Sequence, residues 1–250
     1  MARPLSRSAR SGLRGIIAHS ARGGHEREGV AGLKIEIDRE IQRSAEAAAG
    51  EIRKLLAAHR VFAVNLISSP GSGKTTLLEA AITALAGRLR VAVVEGDIET
   101  EIDAERIRRH GVPVRQINTR SSCHIQPAML LSALGTIDLE AVDLLFVENV
   151  GNLVCPAETP IGEDLRIVAL SVTEGDEKPL KYPLVFRTSD ILVITKIDLL
   201  PHVRFDVGRV RSAARAIRPG IEIFEISAAT GEGIPPLLAR VEALRARKAG

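Results

Sequence analysis

The chain has 250 residues, 45% of them hydrophobic, enough for one comfortable core plus an extension. Aromatics are only 2%, so Ala, Val, Leu and Ile must fill that core, and too few rings remain to stack single-stranded nucleic acid, which is excluded as an expected partner. The net charge of +3 and pI near 9.1 owe much to residues 1–30, the two cysteines cannot build a disulfide framework, and no run approaches the ~18 apolar residues of a membrane span; a cytoplasmic protein without a membrane association is expected.

In chain order, residues 1–31 open with MARPLSRSARSGLRGIIAHSARGG, rich in Arg and Ser and free of acids. The composition resembles a transit peptide but has no long apolar stretch for secretion, so a basic, disordered arm is expected. Residues 32–60 form an N-terminal helical appendage, in which spaced Ile and Leu among charges predict a short strand or turn and then an amphipathic helix. From residue 61 to 250 come apolar runs of strand length: VFAVNLI, VAVVEGD, VRQIN, DLLFVENV, RIVALSVTEG, ILVITKID and IEIFEIS. Helical segments such as TTLLEAAITALAG, IDAERIRRHG and IPPLLARVEALRARK separate them. Continuous β-branched runs mark strands buried on both faces, so the expected fold class is α/β, a doubly wound, mostly parallel sheet flanked by helices.

The first strand leads into Ser68-Ser69-Pro70-Gly71-Ser72-Gly73-Lys74-Thr75-Thr76 and straight on into a helix, the context in which a P-loop binds phosphate. Gly71 and Gly73 let the backbone N–H groups of Gly71–Thr76 approach a β-phosphate, Lys74 would neutralise the β- and γ-phosphates, and the Thr75 hydroxyl would ligate Mg²⁺. Ser68 stands where the usual pattern begins with glycine. Further on, Glu148 closes the strand DLLFV, placing a carboxylate where P-loop proteins face Mg²⁺ or its water, and Gly151 would let the backbone meet the γ-phosphate.

Thr195-Lys196-Ile197-Asp198 matches the [NT]KxD segment that reads guanine. The Asp198 carboxylate can accept from guanine N1–H and N2–H₂, whereas adenine would leave it unpaired, at a cost of about 1–3 kcal/mol. Lys196 would cover the base, and Ser227-Ala228 would meet the guanine carbonyl. Thr195 replaces the commoner Asn and with it the amide that usually ties the loops together.

Cys123, His124 and the later Cys155 are distinctive. Thiolate and imidazole together suit Zn²⁺ or Ni²⁺, and Cys155 follows Gly151 closely enough for a metal to sense a nucleotide-dependent loop. Three ligands do not close a structural site, which suits one shared across a dimer or one that releases its metal. Read as bare residues they suit ordinary structural roles better.

Taken together, NLISSPGSGKTTLLE, GDIETEIDAERIRRHG, CHIQPAM, DLLFVENVGNLVCP, TEGDEKP and ITKIDLLP resemble the HypB family, GTPases that help insert nickel into nickel-iron hydrogenase, from about Lys34 to the end of the chain. The resemblance implies Mg²⁺-dependent hydrolysis of GTP to GDP, with Asp97 and Asp103 in Mg²⁺ or switch roles. Lys74 and Mg²⁺ would stabilise the developing phosphate charge while the loops holding Asp97, Asp103 and Glu148 rearrange, and with no arginine finger to assign, hydrolysis is expected to be slow. The resemblance also implies a homodimer on GTP binding, nickel or zinc held by Cys123, His124 and Cys155 at the dimer interface, and work beside a HypA-type nickel chaperone on the hydrogenase large subunit. The chain departs from the family in having only His19 and His25 in its arm, Arg120 where Gly is frequent, and Gln126 where Asp is. A UreG-like urease-maturation GTPase would carry Cys-Pro-His rather than contiguous Cys123-His124. A nickel or zinc buffer with a vestigial GTPase would call for a His-rich tract, and a small-molecule kinase for no guanine-reading segment.

Overall fold

The computed structural model describes residues 23–97, 102–120 and 122–249, with side chains from Glu40 to Lys248. The basic arm falls largely outside the described residues; from Gly23 the backbone is helical. Helix α1 spans Gly23–Ala58 without a break, so the strand or turn expected near Lys34 does not form. Glu, Arg, Lys and Ala dominate this stretch, and their helix propensity outweighs the brief alternation of Lys34–Ile37.

The chain divides into two compact units, Met1–Arg43 and Ser44–Gly250. Of the first, the described part is the opening of α1. The second holds β1 (Phe62–Ser68), α2 (Lys74–Leu85), β2 (Val91–Asp97), α3 (Ile102–Arg108), β3 (Val114–Asn118) and α4 (Pro127–Leu134). It continues through β4 (Leu144–Glu148), α5 (Cys155–Glu158), β5 (Leu165–Ser171), α6 (Lys178–Lys181), α7 (Pro183–Thr188), β6 (Ile191–Thr195), α8 (Val207–Ile217), β7 (Glu222–Glu225) and α9 (Ile234–Ala249). All seven expected strands form one parallel sheet in the order β3-β2-β4-β1-β5-β6-β7. The order reverses direction at β1, and the crevice beside such a switch, at the carboxyl ends of the strands, is where open α/β sheets bind ligands.

Every residue of β1 is buried, because helices cover both faces. Phe62, Val64 and Leu66 pack with Leu77, Leu78 and Ile82 of α2 and with Leu237 and Leu238 of α9. Ala63, on the opposite face, shares a second core with Leu130 and Leu134 of α4 and with Ile52 and Leu56 of α1, so the last turns of α1 belong to the core of this unit. A third core joins Val168 and Ile194 to Val185 and Phe186 of α7 and Val210 of α8. Helix α8 starts on Asp206, whose carboxylate accepts from the Arg209 N–H at 2.9 Å. Among the described residues, no helix is long and apolar enough to cross a membrane.

Candidate functional site

After Ser68 the chain turns through Gly71 (φ 75°) and Gly73 (φ 91°) into α2. Both are left-handed conformations that a side chain would strain, and they leave the first N–H groups of α2 facing the crevice, a ready cradle for phosphate. Lys74 is buried, its Nζ donating to Ser68 Oγ at 3.0 Å. Ser72 Oγ donates to Ser69 O at 2.8 Å and also meets Ser68 Oγ. The serine in place of the usual glycine thus supplies the oxygen that holds the lysine. Burial lowers the Lys74 pKa, against the raising effect of Glu148 and Asp103.

Thr75 Oγ1 donates to Glu148 Oε1 at 2.8 Å, joining the two residues expected to face Mg²⁺. The register of β2 against β4 sets Glu95 beside Glu148, and the two carboxylates are 2% and 3% exposed. Among the described residues, Oε2 of each lacks a hydrogen-bond partner. Burial pushes Glu148 up to about 7, with Lys74 pulling it back, and pushes Glu95 up to about 8, with the charge of Glu148 adding to the rise. Buried carboxylate oxygens that the protein leaves unsatisfied, beside a threonine hydroxyl, fit a hard divalent cation with oxygen ligands. Asp97 ends β2, where its carbonyl accepts from Thr119 N–H at 2.8 Å. Asp103 lies on α3, bonded by Arg106 Nη1 at 3.2 Å, close enough for its charge to act on Lys74, Glu95 and Glu148. Residues 98–101 lie outside the described residues.

Beside the phosphate loop a cleft of about 220 Å³ is lined by Gly73, Thr76, Thr195, Lys196, Asp198 and Ala228. Ser227 Oγ donates to Asp198 Oδ1 at 2.6 Å, and Lys196 Nζ donates to Gly71 O at 2.7 Å. The loops are tied even without the commoner asparagine: Thr195 Oγ1 donates to Ser72 O at 2.7 Å, which corrects the expected loss of that link.

The ligand atoms of Cys123, His124 and Cys155 lie within 4.8 Å of one another, so the loop before α4 and the start of α5 converge. Cys123 Sγ is 3.7 Å from His124 Nδ1. Its hydrogen bond with Cys155, together with burial, raises the Cys123 pKa, while burial lowers that of His124. A neutral imidazole beside thiols is a set of soft and borderline donors, suited to Ni²⁺ or Zn²⁺.

One segment, Glu148 to Cys155, connects the two regions. Glu148 meets Thr75, and Gly151 is pressed on the phosphate loop so closely that a Cβ there would sit 2.9 Å from Pro70 Cγ and 3.0 Å from its Cα. At its far end the same segment supplies Cys155. The chain matches the CobW/HypB/UreG nucleotide-binding domain over residues 62–225. It is 46% identical to the hydrogenase maturation factor HypB of Azotobacter vinelandii over 211 residues, 84% of this chain and 70% of that protein. The chain belongs to the HypB family. Two solved HypB structures superpose on it at 34% identity. One, from Helicobacter pylori in complex with nickel, gives a TM-score of 0.79 over 82% of this chain and 97% of that one. The other, from Archaeoglobus fulgidus, gives 0.77 over 81% and 99%. Membership of the HypB family makes the chain a P-loop nucleotide-binding protein.

Three polar residues near these regions carry no role in the sequence reading. Glu95 comes to Glu148 only through the order of the strands. Lys178, on α6, reaches Ser69 Oγ at 3.3 Å, and Arg106 Nη2 reaches Thr76 Oγ1 at 3.3 Å. The local signal for Lys178 was its place in TEGDEKP, beside a Pro that starts a helix.

Proposed function

We propose that this HypB-family chain is a slow, Mg²⁺-dependent GTPase and nickel metallochaperone, one that supports nickel insertion into the large subunit of nickel-iron hydrogenase. The observation that carries the reading is the Glu148–Cys155 segment, which touches the phosphate loop at Thr75 and Pro70 and ends in a metal-ligating cysteine. A change at the γ-phosphate that moves this segment reaches Cys155 directly and the Cys123–His124 pair through the bonds that Asn149 and Asn152 make to its backbone.

In this reading the N–H groups of Gly71–Thr76 hold the phosphates of GTP, and Lys74 Nζ exchanges Ser68 Oγ for phosphate oxygens. Thr75 and Glu148 hold Mg²⁺ or its water, with Asp97 and Asp103 on the elements that respond when γ-phosphate leaves. Mg²⁺, when bound, supplies charge stabilisation to the phosphoryl oxygens. Asp198, oriented by Ser227, accepts from the guanine edge while Lys196 covers the ring and Ala228 meets its carbonyl. Cys123, His124 and Cys155 hold Ni²⁺, or Zn²⁺ in its place, and a second copy of the chain completes the coordination at a GTP-dependent dimer interface. A HypA-type chaperone in the cytoplasm is the nickel partner. Contiguous Cys123-His124 disfavours a UreG-like role.

The test is to titrate the apo protein with nickel and with zinc, alone and with GDP or a non-hydrolysable GTP analogue, following dimerisation in the same samples. Affinity that changes with nucleotide, together with a dimer formed with the GTP analogue, is expected. Tight guanine-nucleotide binding with no change in metal affinity would refute the coupling.

A further inference from the structure

Asn149 and Asn152 both stand on the Glu148–Cys155 segment, and each bonds the backbone of the loop that carries the other two metal ligands. Asn149 Oδ1 accepts from the Ile125 N–H at 3.0 Å, immediately after His124. Asn152 Nδ2 donates to the carbonyl of Cys123 at 3.2 Å. The peptide units on either side of His124 are therefore both held by the segment whose last residue is Cys155.

The buried clamp has an orientation that its neighbours determine. Asn149 Oδ1 also accepts from Val150 N–H at 3.1 Å, so the amide nitrogen must face the other way, where it donates to Asn65 Oδ1 at 3.3 Å. Asn65 in turn donates to Glu163 Oε1 at 3.2 Å, and Glu163 accepts from Arg166 Nε at 2.7 Å. Arg166 Nη1 donates to the carbonyl of Ala157 at 3.2 Å, in the helix that begins with Cys155. Asn65, Asn149 and Arg166 are at most 5% exposed. The polar chain leaves the metal loop at Ile125 and returns to α5 at Ala157, with every amide pointed by the Glu163 carboxylate.

We propose that Asn149 and Asn152 are positioning residues that preassemble Cys123, His124 and Cys155, and that Asn65, Glu163 and Arg166 fix the amide of Asn149 for that task. The proposal rests on the metal reading above. It assigns the spacing of the two halves of the site to side chains that do not ligate, the role by which groups around a metal set its affinity.

The experiment uses the full chain and two variants. Asn152→Ser keeps a hydroxyl able to accept from Val154 N–H, as the amide does at 2.9 Å, but cannot reach Cys123 O. Asn149→Leu removes the buried acceptor. Nickel is titrated into apo protein by its thiolate charge-transfer absorption, and GDP binding is measured on the same preparations. Each variant is expected to weaken nickel by about tenfold or more and to change the absorption band, with GDP affinity kept within about twofold. If Asn149→Leu does not fold, Asn152→Ser, at a half-exposed rim position, decides alone. Nickel affinity and band equal to the parent in folded Asn152→Ser would overturn the proposal, as would parallel losses of nickel and GDP binding. A parent chain that binds no nickel would instead refute the metal reading itself.

Discussion

The hydroxyl of Thr195 donates to the carbonyl oxygen of Ser72 at 2.7 Å, tying the end of β6 to the middle of the phosphate loop. The two ends of a nucleotide would lie on opposite sides of this bond, the base toward Asp198 and the phosphates toward Lys74. Thr195→Val keeps the β-branched shape that suits a buried strand end and deletes only the donor. One neutral hydrogen bond contributes about 1 kcal/mol, so GDP affinity is expected to fall by roughly fivefold in the variant. Thr195→Asn, with a longer donor, is expected to restore it. Equal GDP titrations for parent and Thr195→Val would mean the loops are positioned by other contacts.

Asp198 is held by the Ser227 hydroxyl at 2.6 Å and lines the cleft beside the phosphate loop. Asp198→Asn replaces one acceptor by a donor. Guanine offers two donors there, whereas xanthine offers a carbonyl in place of the amino group, so GTP binding is expected to weaken at least about tenfold while xanthosine triphosphate binding rises. Competition between the two nucleotides checks this, and unchanged preference for GTP would remove Asp198 from base recognition.

The parts of this site that lie in one stretch of chain were legible as sequence. Gly71 and Gly73 mark the loop, the β-branched runs mark the strands, and Thr195–Asp198 follows a strand as expected. What depends on strand order was not. Glu95 is an unremarked residue of VAVVEGD until β2 pairs with β4 and sets it beside Glu148. Asn65 likewise reads as a polar interruption in FAVNLIS, and its place in a chain from Ile125 to Ala157 needs four elements assembled at once. Helices α5 and α6, of four residues each, carry too little periodicity to be seen, and α4 begins at a proline that reads equally well as a turn.

The paired buried carboxylates make stability fall as pH rises. The folded protein holds the Glu95 proton up to about pH 8, against an ordinary value of 4.5. Between those values the unfolded chain binds fewer protons than the folded one, so unfolding free energy falls as pH rises. That native-state preference is in full force below pH 4.5 and is lost as pH passes about 8. For protein freed of nucleotide and Mg²⁺, the urea midpoint is expected to drop across this window, and Glu95→Gln, neutral throughout, is expected to flatten the drop. Parallel pH profiles for parent and variant would show that the carboxylate ionises without cost.

Gly151 brings the segment that ends in Cys155 into close contact with the phosphate loop. A Cβ at this position would lie 2.9 Å from Pro70 Cγ and 3.0 Å from both Pro70 Cα and N, and neither a proline ring nor a backbone can swing aside as a flexible side chain would. Gly151→Ala must therefore separate the two loops, at an overpacking cost of about 1–3 kcal/mol, and GDP affinity is expected to fall by about tenfold. Because the contact is also one of the two links from the phosphates to Cys155, the difference in nickel affinity between GDP and a GTP analogue should shrink along with it. Gly220→Ala supplies the control, since nothing lies within 4 Å of a Cβ there. If Gly151→Ala keeps a full nucleotide-dependent change in nickel affinity, the signal passes through Thr75 and Glu148 alone, and the close approach at Pro70 serves packing rather than coupling.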